Sequence, residues 1–269
     1  MATALFEPEL ASASATRAAR NALGDWTRAY PWESLRAEDY PPELIEAARL
    51  GWTENAFNEW CTAAAMGQLV SVLAAAGAPL DLLALASGFA AEEVVHVELC
   101  VRVADQLGGG VAIAYDPDQL QFPLGAELTP LQRANEVVVR LCCVGEEFSL
   151  PMLAGSMRAA AHPVTRGVLE RIVRGEALHG RLGWLYLDWV APTLSADERA
   201  RLGACARDAV DHLRPVWERL RTRPTRPLSP AERAAHHAMG WMDLDAYVAL
   251  ADRTIEEDVF GRLRRYQIA

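Results

Sequence analysis

Cysteine is scarce and unpaired in this chain: Cys61, Cys100, Cys142, Cys143 and Cys205 make five, and none forms a C-x-x-C pair. That odd count argues against a disulfide scaffold, a rubredoxin-type site and a zinc ribbon. All five lie in apolar stretches, where they read as small core hydrophobes. Positive charge is also short, with 26 Lys and Arg against 36 Asp and Glu, for a formal net charge of −10. Such a surface repels phosphate backbones and anionic lipid, so neither nucleic acid nor a membrane is expected as a partner. The one basic run, Arg262-Leu263-Arg264-Arg265, reads as a helix end complementing its dipole. No apolar run reaches the length of a membrane span. Residues 1–19 mix Glu7, Glu9 and Arg17 with alanines, so a signal peptide is not expected and a reducing cytoplasm is the expected compartment. Runs of alternating β-branched residues are missing too, which removes parallel-sheet folds.

What remains reads as helix. At 269 residues, 51% hydrophobic and 23% charged, the chain suits one large helical domain or two small ones. Pro41 and Pro42 open a helical segment that lasts to Ala76 and stops at Gly77 and Pro79. Asp81 is the expected N-cap of a second, which runs to Leu107 before Gly108, Gly109 and Gly110. An irregular stretch with Asp116-Pro117 and Phe122-Pro123 follows. Thr129-Pro130-Leu131-Gln132 is a capping box opening a third helix, which ends near His162-Pro163 with His162 as its C-terminal cap. A fourth reaches about Val190. Two tight hairpins joined by a long connection make an all-α, four-helix bundle with one crossover. Ser195 to Glu198 begins a further helix to about Arg221; 221–230 reads as a linker; Ser229 and Asp243 cap the last helices. These C-terminal helices are expected to pack on the bundle and bury Trp217, Trp241 and Tyr247. The domains are thus 1–40, an N-terminal extension; 41–190, the bundle; and 191–269, a C-terminal helical extension.

Two of the six histidines carry a glutamate three residues earlier, in Glu93-Val-Val-His96 and Glu176-Ala-Leu-His179. An i, i+3 pair shares a helix face, so both side chains can reach one ion. Both motifs interrupt apolar stretches, where a carboxylate is costly unless paired or metal-bound. Each falls in the second arm of its hairpin, with a glutamate in the first arm. Glu59 precedes Glu93 by 93 − 59 = 34 residues, and Glu146 precedes Glu176 by 176 − 146 = 30. Up a helix, round a tight turn and down, these spacings bring paired residues to similar heights. Glu54 lies on another face than Glu59 and reads as a surface acid. Between Glu146 and Glu147 the choice stays open: the stripe of Glu146 holds Val139 and Cys142 and reads as interior, while that of Glu147 holds Glu136 and Arg140 and reads as solvated. Glu92 and Glu98 flank the first motif and read as solvated, with an outer partner of the ligands as the alternative for one of them; His212 reads as partnerless and His236-His237 as surface. Cys61, Cys100 and Cys142 fall within a turn of the candidate ligands and read as pocket lining.

The repeated half-sites resemble the ferritin-like di-iron carboxylate superfamily, in which one glutamate from each of two helices and a Glu-x-x-His from each of the other two project inward. The resemblance covers about 41–190. It implies Glu59 and Glu146 as terminal ligands, Glu93 and Glu176 as bridges, and His96 and His179 as one ligand to each ion. It implies two iron ions, or manganese with iron, and O2 as co-substrate. The expected activity is a di-iron oxidase or oxygenase acting on a small organic molecule with an external electron donor. The alternatives are a ferroxidase or iron-handling relative of ferritin, a rubrerythrin-like peroxidase, or a scaffold for interaction. The extensions on both sides of the bundle favour the enzyme, as a monomer or homodimer.

Overall fold

The computed structural model describes residues 3–8, 12–24, 30–223 and 226–269. Glu9, and Pro224 and Thr225 of the expected linker, lie outside the described residues. The fold is all-α. Four long elements carry it: α2 (Pro42–Ala75), α3 (Leu80–Gln106), a third made of α4 (Pro130–Val138), a π-helical segment (Val139–Glu146) and α5 (Glu147–Ala159), and α6 (Pro163–Val190). Before them stand β1 (Ala4–Phe6) and α1 (Ala13–Leu23). After α6 come α7 (Ala196–Leu213), α8 (Pro215–Arg221), α9 (Pro230–Ala238), α10 (Leu244–Arg253), a second π segment (Thr254–Phe260) and α11 (Gly261–Arg265).

Helices α2 and α3 form one hairpin, α5 and α6 the other; α2 packs against α4 and α3 against α6, which closes a four-helix bundle. The α2–α3 turn depends on Gly77, whose φ of +66° lets the Ala78 amide reach back to the Leu73 carbonyl at 3.0 Å. The crossover lies along α2. Gln68 binds Phe122 through both its amide groups, each at 2.9 Å, and Thr53 Oγ1 accepts from the Val111 amide at 3.1 Å. Within the crossover, β2 (Ile113–Tyr115) pairs antiparallel with β1, Leu5 opposite Ala114. This small ribbon is absent from the sequence reading, because three-residue strands are too short to show alternation.

Several local expectations need correcting. Helix α3 starts at Leu80 with Pro79 at the cap, so Asp81 sits in the first turn, where it accepts from Leu82 instead of capping. The third long element ends at Ala159, and His162 caps the helix after it: its Nδ1 accepts from the Val164 amide at 3.2 Å, as the N-cap of α6. The helix expected from Ser195 to Arg221 breaks at Pro215, which cannot donate to the preceding turn. Asp243 stands at the N-cap of α10 but spends its carboxylate on Arg233 and His237. Trp217 is fully buried as expected, donating to Asp252 at 3.1 Å, whereas Trp241 and Tyr247 are only half-buried. His236 and His237 are half-buried as well, against Trp241 and Asp243, not on an open surface.

Two apolar clusters fill the bundle, one around Leu69, Phe89, Val139 and Leu182, the other around Ala56, Leu99, Val168 and Ile172. Along α3 and along α6 the change from one cluster to the other falls at the Glu-x-x-His motif. A layer of charge divides the core.

Candidate metal centre

That layer contains all six sequence candidates. Glu93, His96, Glu146, Glu176 and His179 are buried, and the Glu59 side chain is 12% exposed. Glu54 is exposed on the outside of α2, as expected. The six form two groups of potential ligand atoms: Glu59, Glu93, His96 and Glu176, and Glu93, Glu146, Glu176 and His179, each within 4.8 Å. Glu93 and Glu176 belong to both.

The contacts are crossed. His96 Nδ1 lies 3.3 Å from Glu93 Oε2 on its own helix and 3.1 Å from Glu176 Oε1 on the facing one. His179 Nδ1 lies 3.1 Å from Glu176 Oε2 and 2.9 Å from Glu93 Oε1. Each central carboxylate therefore turns one oxygen to each imidazole. Glu59 Oε2 completes the His96 side at 3.6 Å from Nδ1. The ring centres of His96 and His179 are 6.2 Å apart, and Phe89 packs on His179 at 4.2 Å.

Proton positions follow from this crowding. Burial, reinforced by the charges of Glu93 and Glu176, pushes the Glu59 carboxyl up to about 8 despite its contact with His96. Burial and the same two charges raise Glu146 well above the carboxylate range. Burial alone would raise Glu93 and Glu176, but hydrogen bonds from both histidines hold them below it. Burial alone would lower the imidazoles; their carboxylate partners outweigh it, raising His96 well above its ordinary value and His179 to about 9. Without metal, these directions favour Glu93 and Glu176 as carboxylates, Glu59 and Glu146 as carboxylic acids and both histidines as imidazolium ions. Burial likewise keeps Cys100 and Cys142 as neutral thiols and pushes Cys61 up to about 11, so none offers a thiolate.

Glu146 reaches the cluster from the end of the π segment, where the wider turn changes the phase of the helix. Glu147, one residue on, points the other way. It is not solvated: it accepts from Trp184 Nε1 and Arg262 Nη1, each at 2.6 Å, and Arg262 stacks on Trp184 at 4.3 Å. Its stripe is covered too, since Glu136 pairs with Arg201 and Arg140 with Asp208 beneath α7. Arg262 stands with Arg264 and Arg265 in the last turn of α11, as the sequence predicts, and in addition serves Glu147. Glu98 takes Arg20 and Arg102, but Glu92 lies against the cluster, Oε2 3.4 Å from His179 Nε2. Its place directly before Glu93 was the only sequence signal.

The residues fit a metal. Their donors are carboxylates and imidazoles, and beyond ion-pair contacts the buried atoms Glu93 Oε1, His96 Nε2 and His179 Nε2 make no hydrogen bond. Among the described residues, no other set of His, Cys, Asp and Glu converges in this way. Gly175 admits the His96 ring: a Cβ there would stand 2.7 Å from His96 Nε2. Gly175→Ala should therefore weaken metal binding about tenfold by displacing the ring, although alanine favours helix by about 1 kcal/mol. Equilibrium dialysis of both forms checks this. Compared with known proteins, the chain matches no protein-family model, no curated protein and no solved structure.

Proposed function

We propose that the cluster is a dinuclear metal centre in a ferritin-like bundle, that its ions are iron, and that the protein uses O2 to oxidise a small organic substrate. The observation that carries this reading is the crossed contact of Glu93 and Glu176 with both histidines, the arrangement of two bridging carboxylates. Glu59 and His96 would complete one ion's ligands, Glu146 and His179 the other's. Four carboxylates carry −4, which two divalent cations balance at 2 × (+2). Hard carboxylates with one imidazole per ion suit iron or manganese. Two ferrous ions held this way would supply O2 with two electrons at one place.

The chain's own residues do the rest. Glu93 and Glu176 would hold both ions, each turning one oxygen to each imidazole. Glu59 and Glu146, which burial pushes towards their carboxylic acid forms, would give up a proton on ligating. The flanking apolar clusters exclude water on both sides. A small substrate and an external electron donor belong to this reading, as does a homodimer. No helix among the described residues is long and apolar enough to cross a membrane.

An anaerobically reduced, iron-loaded sample should consume about one O2 per chain and then stop, resuming only with a reductant and a substrate. Oxygen-electrode traces with repeated Fe(II) additions test it. Continued oxidation of added Fe(II) into a mineral within a large shell would favour the iron-handling alternative.

A further inference from the structure

The site is near-symmetric in its carboxylates and asymmetric around its imidazoles. Glu92 and Gly175 occupy equivalent places, each directly before a central glutamate (93 − 1 and 176 − 1) on α3 and α6. From α3, Glu92 reaches across to His179, Oε2 3.4 Å from Nε2, with its other oxygen 3.5 Å from Arg171. From α6, Glu176 reaches His96 Nδ1, but no carboxylate is placed against Nε2 as Glu92 is against that of His179. Gly175 has no side chain, and its Cβ space is taken by the His96 ring edge at 2.7 Å. Among the described residues neither Nε2 makes a hydrogen bond, but only that of His179 has a carboxylate beside it.

A carboxylate beside the far nitrogen of a ligating imidazole favours the tautomer that leaves the near nitrogen free for metal, and its charge strengthens that nitrogen as a donor. Its charge also attracts a nearby cation, and Arg171 only partly offsets it. We infer that the two metal positions are inequivalent: the position at His179 binds more tightly and fills first, with Glu92 as the positioning residue that makes it so. This inference rests on the dinuclear reading and adds an order to it.

The test uses the full chain, metal-free and anaerobic, titrated with Co(II) to two equivalents and crystallised at one equivalent. Anomalous scattering at the cobalt edge should show occupancy at the His179 position about tenfold above that at His96. Glu92→Ala should weaken the tighter binding step about tenfold and even out the occupancies, with the metal-free melting temperature unchanged. Glu92→Gln, which keeps an acceptor but no charge, should fall between. Two ions that fill both positions equally in the unmodified protein would overturn the inference and leave the dinuclear reading standing. So would a Glu92→Ala protein that keeps the preference or loses only thermal stability. Failure to bind two ions at all would overturn both.

Discussion

Glu93→Ala and Glu176→Ala should each empty both metal positions, lowering affinity for either ion by more than about 100-fold. Loss of an outer partner of a ligand costs about 10–100-fold, and a carboxylate shared by both ions should exceed that. Glu147→Ala should retain both ions, because its partners are Trp184 and Arg262 and not the cluster. Glu54→Ala should change nothing. In metal-free protein, Glu93→Ala should also cost about 3–5 kcal/mol of stability, since it strips a counter-charge from two buried imidazolium ions. Glu93→Gln keeps the shape and separates loss of charge from loss of volume. Elemental analysis beside denaturant melts of the metal-free proteins reads both effects. Loss of metal in Glu147→Ala with retention in Glu146→Ala would reverse the assignment made from the helix phase.

Metal affinity should depend steeply on pH. Four groups are pushed towards their protonated forms in the metal-free protein: Glu59, Glu146, His96 and His179. All four must lose those protons to ligate, so loading two ions frees 2 + 2 = 4 protons. Metal and proton compete, and acid favours the metal-free form. Below about 8, where Glu59 begins to ionise unaided, the overall binding constant should fall up to about 10,000-fold per pH unit, tenfold for each proton. The slope should flatten as pH passes about 8 and then about 9, as Glu59 and His179 lose their protons without metal. Calorimetric titrations in buffers of different ionisation enthalpy count the protons directly. A pH-independent constant between 6 and 7 would contradict the proton positions inferred for the cluster.

The six cluster residues were legible because their signal is local and repeated. An i, i+3 pair shares a face in any helix, and arms of near-equal length on each side of a tight turn bring Glu59 to Glu93 and Glu146 to Glu176. The glycine or proline after each arm made those lengths readable. Less could be read where partners lie far apart in sequence. Glu147 seemed solvated because its stripe holds charges, yet these meet Arg201, Asp208 and Arg262 from helices that follow the bundle, and Trp184 of α6. The π segment was invisible, since a single wider turn leaves too few residues to show its period. Pro215 carried a readable break that the capping box before it obscured. His162 was assigned to the wrong helix because a residue between two helices can cap either.

The central claim, two ions bridged by Glu93 and Glu176, is tested most directly by anomalous scattering from crystals of the iron-loaded protein. The account requires two peaks per chain, one among Glu59, Glu93, His96 and Glu176 and one among Glu93, Glu146, Glu176 and His179. A single peak, no peak within this cluster, or metal held only at the protein surface would contradict it.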